Sequence, residues 1–63
     1  MNTVLLDHYT TPGGGRVELI FQQGREICNV YSNTGEHRIR QRYQARYWFM
    51  RVMELCRQDV LQP

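Results

Sequence analysis

The chain has 63 residues, 41% of them apolar, and a formal net charge of +2. The apolar content argues against intrinsic disorder, and the length is near the lower limit for one hydrophobic core. No apolar run approaches the ~20 residues of a membrane-spanning helix, and the N-terminus lacks the basic flank of a signal peptide. We therefore expect one small cytoplasmic domain over residues 1–63, and the initial Met favours a complete protein.

Three segments of the first half are predicted to form strands, at residues 3–9, 16–22 and 26–32. The second is the clearest, because Val17, Leu19 and Phe21 alternate with more polar residues and share one face. Gly24 follows it, where a tight hairpin turn requires a positive φ. The third is rich in β-branched and aromatic side chains. These patterns predict an antiparallel meander.

The segment Asn33–Glu36 is compatible with two structures. As a helix start, Asn33 is the N-cap and Glu36 completes a capping box three residues later. As a turn, Asn-Thr-Gly forms a three-residue hairpin loop with Gly35 in the left-handed region, and the following residues form another strand. That strand would carry Arg38, Arg40 and Arg42 on one face.

We favour the helix, because no Gly or Pro occurs from Glu36 to Gln62 and the residues there include many good helix formers. It would cover residues 36–60, and both alternatives place a helix over residues 43–59. The predicted fold class is therefore α+β, with a two- or three-stranded antiparallel sheet packed against one long C-terminal helix.

A step of 100° per residue divides this helix into three sectors. The predicted core sector contains Ala45, Trp48, Phe49, Val52, Met53, Cys56 and Val60. The opposite, polar sector contains Arg40, Gln44, Tyr47, Arg51, Glu54 and Gln58. A mixed stripe between them contains Ile39, Tyr43, Arg46, Met50 and Arg57. The stripe is either an interface for a partner or a cover for one end of the sheet, with the Arg stems lying flat on it.

Charge is distributed unevenly along the chain. The formal charges of residues 37–53 sum to +5, with no acidic residue among them, whereas those of residues 1–36 sum to −2. All eight basic residues are Arg. Codon bias can produce this, but the Arg fork also binds phosphate or carboxylate through two hydrogen bonds and stacks on rings. The predicted binding residues are Arg38, Arg40, Arg42, Gln44, Arg46, Tyr47 and Arg51. The predicted interface residues are Ile39, Tyr43, Met50 and Arg57.

Catalytic motifs are missing from the sequence, and we expect neither an enzyme nor a cofactor. Cys28 and Cys56, with His8 and His37, lack the paired spacing of a zinc site, so we expect two reduced, buried thiols and no metal. The glycines before Arg16 could form an anion-binding nest, although such loops usually only turn the chain.

Two functions fit these residues. The first is nucleic-acid binding, by the helix or, in the turn alternative, by a sheet bearing the arginines. The pI of 8.8 weakens it, since dedicated nucleic-acid domains usually exceed ~9. The second is a protein–protein interaction module, a small inhibitor or assembly factor, docking the same helix on an acidic protein surface. A homodimer through Ile39, Tyr43 and Met50 is a variant of it.

Overall fold

The computed structural model describes residues 2–58. They form four strands and a helix, namely β1 (Thr3–Thr10), β2 (Arg16–Gln22), β3 (Arg25–Tyr31), β4 (His37–Gln41) and α1 (Ala45–Arg57). Each strand pairs antiparallel with the next, in the order β1-β2-β3-β4. The α+β class and the antiparallel meander are confirmed, but the sheet has four strands rather than two or three. Within the described residues, α1 is too short and polar to cross a membrane.

The turn between β2 and β3 is the tight hairpin that the sequence predicts. Gln23 and Gly24 both have positive φ, at 51° and 79°. This is the backbone of a type I′ turn, whose twist matches that of the flanking strands. The register then follows directly, with Leu19 opposite Cys28 and Ile20 opposite Ile27.

The loop between β3 and β4 corrects the predicted helix over residues 36–44. Gly35 has a φ of 86°, which suits a turn and not a helix. The Ser32 amide donates to the Glu36 carbonyl at 2.8 Å, and the Ser32 hydroxyl accepts from the Glu36 amide at 3.2 Å. Asn33–Glu36 is therefore a hairpin loop, and the alternative with a strand over Arg38 and Arg40 is the correct one.

The physical reason for this correction lies in β3. Four consecutive residues of that strand, Ile27 to Val30, are buried, so backbone N–H and C=O groups on both of its edges need partners. β2 supplies one set and β4 supplies the other. A helix beginning near Glu36 would leave the second edge of β3 without hydrogen bonds.

Helix α1 begins only after a second change of direction. Gln44 has a φ of 52° and no side-chain capping bond, and its carbonyl accepts the first helical bond from the Trp48 amide at 3.0 Å. Glutamine is not a preferred N-cap residue, so nothing local marks this start. The described helix ends at Arg57, and the predicted extension through residues 59–60 lies outside the described residues.

The core lies between α1 and the two central strands. Its buried members are Val17 and Leu19 of β2, Cys28 and Val30 of β3, and Ala45, Phe49, Val52 and Cys56 of α1. The four helical residues belong to the predicted core sector, which is confirmed for them. Met53 is half-buried, Trp48 remains 38% exposed, and Val60 lies outside the described residues.

The opposite face of the sheet carries no helix within the described chain. Ile20 and Ile27 alternate with core residues and therefore point to this face, where they are 7% and 2% exposed. Leu5 of β1 lies opposite Ile20 in the register. Polar and basic neighbours surround this small apolar centre, and Arg40 of β4 reaches across to Gln22 at 3.2 Å.

Candidate functional site

The eight arginines differ in whether a carboxylate neutralises them. Arg16 pairs with Glu18 at 2.6 Å. Arg46 pairs with Glu26 at 2.9 Å, and the hydrogen bond and charge of that carboxylate raise the pKa of Arg46. Arg57 lies 3.9 Å from a Glu54 carboxylate oxygen, with its guanidinium carbon 5.7 Å from the centre of the Tyr9 ring.

The other five arginines are exposed and form no ion pair within residues 2–58. They are Arg25, Arg38, Arg40, Arg42 and Arg51. Arg40 donates only to the neutral amide of Gln22. Because no described carboxylate satisfies these guanidinium groups, their charge remains available to an external anion.

Four of these five arginines lie toward the β4 edge of the molecule, but on different faces of the sheet. Arg40 reaches Gln22 on the face opposite α1, whereas Arg51 is on the helix. Arg38 and Arg40 belong to β4, an outer strand of the described sheet, and Arg42 follows its last residue. Arg51 is on the helix, three residues after Trp48 and four before Leu55, and these three share one stripe. Trp48 and Leu55 both face β4 across a groove. We call Arg38, Arg40, Arg42 and Arg51 the β4 arginines.

The paired arginines of the helix lie on its other flank. Arg57 lies over Tyr9 of β1, and Arg46 binds Glu26 at the start of β3. The predicted binding set is therefore divided, because its members on and after β4 lie toward the same edge of the molecule as Arg51, whereas Arg46 does not. Arg57, a predicted interface residue, lies on the same flank of α1 as Arg46. Gln44 is exposed between Arg42 and the helix, and Tyr47 is exposed on the outer side of α1.

The groove between β4 and α1 exists because the helix packs on β2 and β3, leaving the helix-facing side of β4 partly open. It has a volume of about 300 Å³ and is lined by Cys28, Ile39, Gln41, Trp48, Val52 and Leu55. The two residues at its mouth, Ile39 and Trp48, are 42% and 38% exposed. The Trp48 ring contacts Tyr47 edge-on, with centroids 5.4 Å apart.

The thiol at the groove is shielded and weakly acidic. Cys28 is fully buried, and burial raises its pKa to about 11. Cys56 is also buried and free, and its pKa is raised for the same reason. Since the thiolate is the reactive form, neither side chain is a ready nucleophile. Within residues 2–58 no cluster of metal-binding side chains occurs.

An aromatic pair lies on the open face of the sheet, near the loop between β3 and β4. The rings of Tyr31 and His37 are stacked, with centroids 5.0 Å apart and planes 21° from parallel. A ring nitrogen of His37 lies 3.0 Å from the Asn29 side-chain oxygen. The pair therefore holds an exposed imidazole in place, three residues along β4 from Arg40.

The predicted mixed stripe is wrong as a continuous surface. Ile39 is in β4 and lines the groove, Tyr43 is in the link before α1 and is 77% exposed, and Met50 is on the outer helix face. The helix that would have aligned these residues with Arg46 and Arg57 begins too late. They are therefore not aligned on one helix face, and their role as an interface stays a prediction.

The glycine-rich loop after β1 has no free nest of amides. The Gly14 amide donates to the Thr11 carbonyl at 2.9 Å, and the Gly15 amide donates to the Thr11 hydroxyl at 2.8 Å. Both donors are therefore used within the loop. The structural interpretation, a loop that turns the chain, is the better one.

Sequence reasoning missed the groove and the stacked pair. The sequence predicts no role for Leu55 or Gln41 and places Trp48 in the core, because one wall of the groove is a strand formed by residues that the sequence predicts to be helical. The alternation of Ile39 and Gln41 with arginines is the sequence signal for that strand. Likewise, Tyr31 and His37 flank the Asn-Thr-Gly turn, and a hairpin brings such residues together.

Comparison with known proteins gives no further guide to this site. The chain matches no family model, no curated protein and no solved structure.

Proposed function

We propose that this is a small non-enzymatic nucleic-acid-binding protein whose β4 arginines contact the phosphate backbone. The observation that carries the proposal is the separation of the arginines into two groups. Arg16, Arg46 and Arg57 lie beside acids, whereas the β4 arginines are exposed and have no described carboxylate partner. Arg25, at the start of β3, is also exposed and unpaired within the described residues. Such unneutralised charge toward one edge of the sheet favours a polyanion over a neutral partner.

The geometry of a strand suits a linear polyanion. Successive residues of an extended strand are spaced by roughly 3.3 Å, so Arg38 and Arg40 of β4, with Arg42 directly after its last residue, are distributed along one edge of the sheet. A row of guanidinium groups can therefore follow a phosphate backbone. Each Arg presents a planar fork that binds phosphate through two hydrogen bonds, which a Lys ammonium cannot do.

The proposal is tested by two variants with the same change in charge. One replaces Arg38, Arg40 and Arg42 by Gln, and the other replaces the paired Arg16, Arg46 and Arg57 by Gln. Binding of a labelled random oligonucleotide is measured at several salt concentrations, and circular dichroism checks that both variants are folded. The first variant should lose on the order of 100-fold in affinity near 0.1 M salt, from three lost contacts.

The second variant should keep its affinity within a few-fold, because its arginines are already occupied. A loss of equal size in both variants would mean that net charge alone governs binding. Absence of binding to any oligonucleotide at low salt would refute the proposal.

A protein–protein interaction module is the second candidate. It is favoured by the exposure of Tyr43, Tyr47 and Met50, at 77%, 57% and 57%, since Tyr, Met and Arg are enriched in protein interfaces. In this case the outer face of α1 docks on an acidic protein. Capture of partners by wild type and by a Tyr47→Ala, Met50→Ala variant tests it, and an unchanged set of partners would count against this face.

A further inference from the structure

We infer that the groove between β4 and α1 receives an unpaired base, so that the protein prefers single-stranded nucleic acid to duplex. This inference rests on the proposed function and adds to it the class of nucleic acid. It starts from the groove itself, which the phosphate contacts of the β4 arginines do not use.

The lining of the groove has the chemistry that a base requires. Its walls are apolar or aromatic apart from the side chain of Gln41. A base has a flat apolar face that stacks on aromatic rings and a polar edge that forms hydrogen bonds. Trp48 offers the ring, and the Gln41 amide offers both a donor and an acceptor.

The size of the groove suits one flat group and not a folded element. Its volume of about 300 Å³ is at the lower end of the ~300–1,000 Å³ typical of small-molecule sites. In a duplex, the faces of the bases are stacked on one another, and a base enters a pocket only after it is unstacked at a cost of a few kcal/mol. A single strand presents its bases without most of that cost.

Charge complementarity indicates an anionic occupant. Arg51 lies on the same helix stripe as Trp48 and Leu55, and Arg42 follows the end of β4 just beyond Gln41. None of the residues that line the groove is acidic. A strand that follows the β4 edge can therefore place a base against Trp48 and its phosphates on these arginines.

The exposure of Trp48 is consistent with this role. The helix buries Ala45, Phe49, Val52 and Cys56 but leaves Trp48 38% exposed and Ile39 of β4 42% exposed. Aromatic and apolar side chains that line a concave surface are typical of ligand sites. The ring is held edge-on by Tyr47, with the planes 81° apart.

The experiment uses the fact that Trp48 is the only tryptophan of the chain. Its fluorescence is followed while the wild-type protein is titrated with an oligothymidylate and, separately, with an abasic strand of equal length. The two strands carry the same phosphates, so any difference reports the bases. The base-containing strand should quench Trp48 and bind about 5- to 100-fold more tightly.

A random duplex of the same length should bind more weakly than the oligothymidylate and quench less. In a Trp48→Phe variant, which keeps a ring, the preference for the base-containing strand should be largely retained. In a Trp48→Ala variant it should fall to near unity. The comparison of the two strands on wild type needs no variant, so the inference is testable even if one variant fails to fold.

The outcomes separate this inference from the proposed function. Equal affinity for the two strands, without quenching, overturns the inference and leaves phosphate binding by the β4 arginines intact. Absence of binding to either strand overturns both. Quenching by poly-glutamate, with displacement of the oligonucleotide, overturns the inference in favour of an acidic peptide as occupant.

Discussion

The orientation of α1 can be tested by shortening the Phe49 side chain. Phe49 is 2% exposed and lies in the core between α1 and the two central strands. Replacing a buried Phe by Ala lowers stability by about 3–5 kcal/mol. The total free energy of unfolding of a chain of this length is only about 3–9 kcal/mol. Phe49→Ala would therefore unfold much of the protein. The milder Phe49→Leu keeps most of the apolar volume and should lower the free energy of unfolding by about 1–1.5 kcal/mol.

Urea denaturation followed by far-UV circular dichroism measures this change. Met50→Ala is the matched control, because Met50 is the next residue of the same helix and is 57% exposed. Exposed substitutions usually change stability by less than about 0.5 kcal/mol. If Met50→Ala were more destabilising than Phe49→Leu, the helix would face the sheet differently, and Trp48, Arg51 and Leu55 would not lie beside β4.

Three further predictions concern pH, the β3–β4 loop and salt. Burial raises the pKa of Cys28 from its ordinary value of 9.0 to about 11. The free energy of unfolding should therefore fall as pH rises from 9 to 11, because the thiol loses its proton in the unfolded chain but keeps it in the folded one. A Cys28→Ala variant should lose this part of the pH dependence. Gly35→Ala should lower stability by about 1–2 kcal/mol in urea denaturation, because φ is 86° and no atom within 4 Å adds a clash; an unchanged midpoint would contradict the turn. Arg51→Gln should reduce the slope of log affinity against log salt concentration by about 0.7 for a single strand, whereas Arg57→Gln should leave the slope unchanged. An effect of Arg57→Gln alone would mean that the phosphates bind on the flank of α1 that carries Arg57.

The parts of the fold that the sequence predicted are those with a strong local signal. The alternation in Arg16–Gln22 and the glycine at position 24 are sufficient for the β2–β3 hairpin. The burial of Ala45, Phe49, Val52 and Cys56 was also predictable, because a helical period within α1 does not depend on where the helix begins.

The start of the helix was not predictable from local signals, since they were balanced. Asn33 and Glu36 fit a capping box as well as a turn, and Gln44 is not a preferred N-cap. Pairing decided the structure, because the second edge of β3 needs hydrogen bonds that β4 supplies. This is a tertiary requirement, and it overrides the helix propensity of residues 36–44.

The candidate site was predicted in composition but not in shape. The arginines of residues 37–53 were identified from their charge, yet an incorrect helix placed Arg40 with Gln44 and Tyr47. The ion pair of Arg46 with Glu26 joins residues 20 apart in the chain, and such a pair could not be found before β3 and α1 were packed together. Trp48 is predicted to lie in the core because its apolar ring falls in the core sector of the helix, and only the position of β4 shows that the ring lines a groove.

The most direct measurement of the central claim observes each guanidinium group during binding. In NMR spectra that resolve the arginine Nε–Hε signals, a single-stranded oligonucleotide is titrated into the wild-type protein. The signals of the β4 arginines, Arg38, Arg40, Arg42 and Arg51, should shift together and saturate with one affinity. The signals of the acid-paired Arg16 and Arg46 should not shift. A shift of the Arg16 and Arg46 signals, with no change in the signals of the β4 arginines, would contradict the account.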